Sequence, residues 1–128
     1  MTEQADATGR LAAQVRQALG SANLDAYADL LDPEVRWGPP GDPEPPCQTR
    51  AQVLEWYRRG RDAGARARVT ETQVCGNKIL VGLAVTGSPD APEDSRWQVL
   101  TVRDGRIAAI EGFDDRAQAA AWAGLAPS

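Results

Sequence analysis

Any acid–base chemistry in this chain has to be done without histidine, because its 128 residues contain none. That excludes His-based triads, His general bases and Cys–His pairs. Proton transfer is left to carboxylates, Tyr or Cys. The two cysteines, Cys47 and Cys75, show no zinc-ligand spacing, and soft metal sites draw on Cys or His; neither a metal nor a cofactor is expected. Cys47 stands just before a helix N-terminus, where the helix dipole lowers a thiol pKa. With no histidine beside it, Cys47 reads instead as a small residue packed under a loop, and Cys75 as structural. Among the carboxylates, Asp115 is best explained as a helix N-cap. Asp114 is the weak candidate for a catalytic carboxylate, and Glu111 faces either side of its strand.

The residues suited to binding are aromatic and polar. Trp37 can stack on a flat ligand or pack in a core. Tyr57 and Tyr27 can hydrogen-bond a ligand or a backbone group. Trp56 adjoins Tyr57, but neighbours on a helix differ by about 100°, so one of the two must point more toward a sheet than the other. Gln98 is the best polar candidate on a strand; buried, it needs a partner in protein, water or ligand. Arg68 is the counter-ion for an anionic ligand, or else a surface residue.

Composition narrows the partners. The apolar fraction of 42% and charged fraction of 25% are those of an ordinary globular domain. Fourteen basic residues, thirteen of them Arg, against eighteen acidic ones leave a net charge of −4. Such a chain is a poor nucleic-acid binder unless its positive charge is clustered. Arg58, Arg59, Arg61, Arg66 and Arg68 do cluster in sequence, but across a helix end and a strand start, which scatters them. No apolar run approaches the roughly 20 residues of a membrane span, and the polar, acidic start is not a secretory signal. No nucleic-acid or membrane partner is expected, and the expected location is the cytoplasm.

These residues need elements to position them. Leu11, Val15, Ala18 and Leu19 form an apolar stripe, predicting a helix from about Ala7 to Leu19; residues 1–8 are expected to be a flexible lead-in. A shorter helix is predicted over Leu24–Leu31, capped by Asn23 and stopped by Pro33. Val35–Gly38 reads as a short strand, and the proline-rich stretch to Pro46 as a loop that cannot enter a ladder. Thr49 and Gln52 make a capping box opening a third helix, closed by Gly60 and Gly64. The period then changes from about 3.6 to 2. Strands are predicted over Arg68–Val74, Lys78–Thr86, Arg96–Arg103 and Arg106–Phe113, with turns at Gly76-Asn77 and Asp104-Gly105. Gly87–Ser95 reads as a mobile loop, and Asp115 opens a last, alanine-rich helix. One α+β domain spanning 1–128 follows: helices segregated on one face of an antiparallel sheet.

This order resembles the NTF2-like superfamily, which includes SnoaL-like cyclases and ketosteroid isomerases. The resemblance rests on Leu24-Asp-Ala-Tyr-Ala-Asp-Leu-Leu-Asp-Pro-Glu-Val35, Thr49-Arg-Ala-Gln-Val-Leu-Glu-Trp-Tyr57, Val102-Arg-Asp-Gly-Arg-Ile107 and Phe113-Asp-Asp115. It implies a cystatin-like cone: a curved antiparallel sheet wrapped around three N-terminal helices, with a pocket inside. It also implies frequent homodimers. The functional positions of those enzymes transfer badly. The isomerase tyrosine of the first helix falls at Val15 and its general base at Trp37. Its second acid falls at Gln98 or Val99, and the cyclase aspartate of the last strand falls near Gly112. Trp56-Tyr57 repeats an aromatic pair of the isomerase pocket.

The expectation is a small-molecule-binding domain with a mostly apolar pocket for a small apolar or cyclic ligand. Its lining is expected from Trp37, Trp56, Tyr57, Gln98, Tyr27 and Arg68. One alternative is a SnoaL-like isomerase, cyclase, dehydratase or hydrolase using carboxylates and Tyr on a cyclic or polyketide-like substrate. Another is a dimeric interaction module without ligand. A homodimer through the sheet is expected from an outward face bearing Trp97, Val99 and Thr101.

Overall fold

The computed structural model describes residues 2–21, 23–39, 41–87 and 92–125, with side chains from Ala7 onward. Helix α1 spans Thr2–Gly20 and α2 spans Leu24–Ala28; strand β1 spans Leu31–Gly38 and helix α3 spans Arg50–Asp62. Strands β2 (Arg66–Cys75), β3 (Lys78–Thr86), β4 (Asp94–Arg103) and β5 (Arg106–Phe113) follow, then helix α4 (Arg116–Ala123). The helix α1 begins upstream of the expected boundary because its apolar stripe marks the part that packs, while the preceding residues carry no helix breaker. Side chains 1–6 of the expected flexible lead-in, and residues 88–91 of the expected mobile loop, lie outside the described residues.

The sheet is curved, open and five-stranded in the order β1-β5-β4-β3-β2. Strands β2 to β5 form an antiparallel meander; β1 joins the edge parallel to β5. The turn at Asp104-Gly105 has φ of 55° and 78°, the positive pair a type I′ hairpin requires. The concave face presents Ile79, Val81, Leu83, Leu100, Val102, Ile107 and Ile110 to Leu11, Val15, Ala18, Tyr27 and Val53 of the first three helices. This is the expected α+β cone.

Two differences have clear causes. The second helix stops at Ala28, and Leu31 is the first residue of β1, paired with Ile107. The apolar pair Leu30-Leu31 suits either period, and the neighbouring strand decides it: the Ile107 N–H donates to the Leu30 carbonyl at 2.8 Å. Pro33 is tolerated because β1 is an edge strand whose register shifts between Leu31 and Arg36.

The second difference concerns the convex face, which is not bare. Helix α4 lies across it, and Leu80, Val99, Ala119, Ala120 and Ala123 form a second apolar cluster with Trp97 and Phe113 against it. Val99 is fully buried, so the exposed apolar face expected from Trp97, Val99 and Thr101 is corrected: the same chain covers it. Gly82 makes room for this layer. A Cβ there would lie 2.5 Å from the Trp97 ring and 2.7 Å from the Thr70 hydroxyl. Among the described residues no helix is long and apolar enough to cross a membrane.

Candidate functional site

Trp37 is fixed from two sides. Its backbone pairs with Ile110 in β5, while its N–H and C=O bond the Cys47 carbonyl and N–H at 2.9 and 3.2 Å. The bridge closes the proline-rich loop at Cys47, the residue after Pro45-Pro46, which lack an N–H to donate. Cys47 is thereby buried, and burial pushes its thiol pKa up. Cys47 lies two residues before the N-cap Thr49 and serves as a packing residue in the core.

Helix α3 supplies the next pair. Thr49 caps it by accepting from the Gln52 N–H at 3.2 Å, and the Gln52 side chain reaches back to the Gln48 N–H at 2.6 Å. The helix starts at a defined residue, which sets the direction of each side chain beyond. Tyr57 turns inward and stacks on Trp37, centroids 5.1 Å apart and planes 24° apart. Trp56 meets Trp37 edge-on at 6.1 Å and is 58% exposed. The 100° between helix neighbours thus separates an inner from a rim aromatic. Behind Tyr57, Tyr27 meets it edge-on at 5.4 Å.

A cavity of about 830 Å³ opens between these rings and the sheet, within the usual size range of small-molecule sites. Its walls include Leu19, Leu24, Leu83 and Val85, together with Trp37, Trp56, Tyr57 and Gln98. Gln98 points inward with Leu100 and Val102, as strand alternation predicts. Tyr27 does not line the cavity; it is fully buried beneath Tyr57. The Tyr27 and Tyr57 hydroxyls and the Gln98 Oε1 are all buried, and none has a partner in strict hydrogen-bond geometry among the described residues, although the Tyr57 hydroxyl lies near enough to Tyr27 and Gln98 to interact with both. Such groups are rare because desolvation then goes uncompensated. Burial raises the Tyr27 pKa well above 10.0, with the Tyr57 charge adding to it. Burial also raises that of Tyr57, opposed by the polar side chains of Tyr27 and Gln98. Both phenols remain neutral donors.

Arg68 is a correction. It extends away from the cavity and pairs with Glu93 at 2.8 Å. Ala67 lines the cavity and Val69 packs on the core, so the residue between them takes the opposite face. The arginines at the mouth are Arg61, Arg66 and Arg96. All three were readable as charged residues near the helix end and strand starts, but nothing in sequence brings Arg96 beside the other two. Asp114 is on the rim; its side chain is 84% exposed and paired with Arg96. Among the described residues it is the single carboxylate on the lining.

Solved structures similar to this chain share its fold. One is an epoxide hydrolase of the LEH-like type from M. tuberculosis, 19% identical, covering 90% of this chain and 86% of that one, with a TM-score of 0.66. Another, from Kribbella flavida DSM 17836, is provisionally assigned as a ketosteroid isomerase: 24% identity, 84% and 77% coverage, TM-score 0.69. A cystatin-like-fold protein of unknown function from Xanthomonas campestris has 18% identity, 87% and 93% coverage and a TM-score of 0.70. No curated protein matches the chain. The sequence profile of the SnoaL-like domain matches residues 12–110, a span running from the middle of α1 through Ile110 of β5 and so taking in most of the cone. The chain belongs to the SnoaL-like domain family.

Proposed function

We propose that this domain binds a small ring-bearing molecule in the cone, apolar along its body and carrying an oxygen at its inner end. The observation that carries this reading is the orphaned polar set. Tyr57 and Gln98 line a cavity whose inner walls are largely apolar, and the Tyr57 hydroxyl and Gln98 Oε1 are buried there without a partner in strict hydrogen-bond geometry among the described residues. A ligand hydroxyl placed there accepts from the Tyr57 hydroxyl and donates to the Gln98 Oε1. The Trp37 ring offers a face for the ligand's rings. The size of the cavity supports a ligand over a module whose core is closed by its own side chains.

The SnoaL-like family includes isomerases, cyclases and hydrolases, so an enzyme acting on a cyclic substrate is the second reading. Asp114 favours it as the lining carboxylate. Its exposure and its pairing with Arg96 weigh against a base, which works best desolvated and near its substrate.

The test is calorimetric titration with 2-naphthol, a fused ring with one hydroxyl. Binding is expected, weakened about fivefold to tenfold in Tyr57→Phe and in Gln98→Leu, the loss of one hydrogen bond. Absence of binding at the solubility limit, or equal binding by both variants, would sink the reading.

A further inference from the structure

The cavity mouth and its interior differ in chemistry. Arg66 is the first residue of β2, and its Nη1 donates to the carbonyls of Ala65 at 2.8 Å and Arg61 at 3.3 Å. Both are backbone oxygens, and no carboxylate pairs with Arg66 among the described residues. Arg61, against whose backbone it rests, has only the adjoining Asp62 at 3.9 Å, on the edge of ion-pair distance. The third arginine of the mouth, Arg96, is neutralised differently: Asp94 lies 3.1 Å away and Asp114 is also paired with it. One side of the opening therefore holds two guanidinium groups without a close carboxylate, and the other a compensated cluster. Guanidinium groups favour oxyanions through charge-assisted, forked hydrogen bonds.

We propose that the ligand carries a carboxylate, which rests at the mouth between Arg61 and Arg66 while its rings enter toward Trp37. This deepens the binding reading above and rests on it. The ligand then has three zones. Its inner oxygen meets Tyr57 and Gln98, its apolar body lies along Trp37, Leu83 and Val85, and its anion stays at the rim. Solvent contact at the rim suits a charge, which would be expensive to bury in the cone. The Arg61–Arg66 side also orients the ligand, since the Asp114 side repels a carboxylate.

The experiment compares 6-hydroxy-2-naphthoate with 2-naphthol by calorimetry on the full chain. The two share rings and hydroxyl and differ in the carboxylate. The naphthoate is expected to bind about tenfold tighter, with an advantage that shrinks as salt is raised. That ratio should collapse toward one in Arg66→Gln and Arg61→Gln and be largely kept in Arg66→Lys. In Arg68→Gln, outside the cavity, it should not change. Equal binding of the two probes overturns the carboxylate inference and leaves the pocket reading standing. A tenfold ratio that survives both Gln variants overturns the assignment to these arginines. If neither probe binds, both readings fall. Circular dichroism of each variant checks that a lost ratio is not a lost fold.

Discussion

At the scale of single residues, the cone interior is set by what its side chains are unable to do. Tyr27 and Tyr57 are the chain's two tyrosines, so a spectrophotometric titration reports on them alone. Burial raises both pKa values; the folded state thus holds its phenol protons more tightly than the unfolded chain does. Their contribution to stability is full below the unfolded value near 10.0 and is lost as pH rises through the raised values. Tyrosinate absorbance is expected to stay low at pH 10 and to appear together with unfolding at higher pH. A smooth transition of either tyrosine at pH 10 in folded protein would contradict the burial. A second expectation is negative. Val15 is 0% exposed in the core, and the sequence resemblance sets Val15 and Trp37 where isomerases carry their donor and base; neither an alkyl group nor an indole can take those roles. A base alone contributes about 10²–10⁴-fold. A β,γ-unsaturated ketosteroid is expected to show no conjugation by ultraviolet absorbance. Robust turnover abolished by Asp114→Asn would instead make Asp114 the base.

At the scale of elements, α4 is the piece whose attachment can be tested. Asp115 caps it by accepting from the Ala117 N–H at 2.7 Å, and Gly124 ends it at φ 83°, the left-handed conformation glycine adopts freely. Arg116 binds Glu71 of β2 through two bonds of 2.8 and 2.9 Å and lies 5.8 Å above the Trp97 ring. The bond from Arg116 is the main cause holding the Glu71 pKa below 4.5, against the opposing effect of burial. A lowered carboxylate pKa contributes stability above its unfolded value, lost as pH falls through the folded one. The protection of the α4 amides, measured against their intrinsic exchange rates, is expected to fall below about pH 4.5. Glu71→Gln should produce the same loss of protection already at neutral pH, with the cone helices unaffected. If α4 exchanges identically in wild type and variant, this pair does not hold the helix.

At the scale of the whole molecule, the two faces of the sheet are used for different purposes: the concave one for the cavity, the convex one for α4. A homodimer through this sheet face would therefore meet α4 packed over Leu80 and Val99. The dimer we propose instead includes α4 and the shallow groove beside it, lined by Phe113, Gln118, Ala121 and Trp122. Trp122 is 42% exposed, tethered by its indole N–H to Glu111 at 2.8 Å. An exposed apolar group held rigid in this way suits an interface. Light scattering at micromolar concentration is expected to give twice the mass of one chain, and Trp122→Glu to shift it to monomer. A monomeric wild type, or a dimer indifferent to that change, would count against this surface.

The sequence by itself determined what local rules govern. The hairpin at Asp104-Gly105 follows from the two positive φ values only such a pair takes readily. The starts of α3 and α4 follow from Thr49 and Asp115 as caps, and the inward set Gln98, Leu100, Val102 from strand alternation. The aromatic wall of Trp37, Trp56 and Tyr57 was legible for the same reason, since position on an element fixes direction. What tertiary structure alone decided depends on groups distant in sequence meeting in space. Leu31 became strand because Ile107 was there to pair with it. Val99 became core because α4 returned across the sheet. Arg66 rather than Arg68 reached the cavity mouth, although the two share a strand face, because Arg66 stands where the chain enters β2 from α3 and folds back on the Arg61 and Ala65 carbonyls. Asp114 met Arg96 at the rim of the cavity, a pairing eighteen residues apart that alternation and capping do not encode.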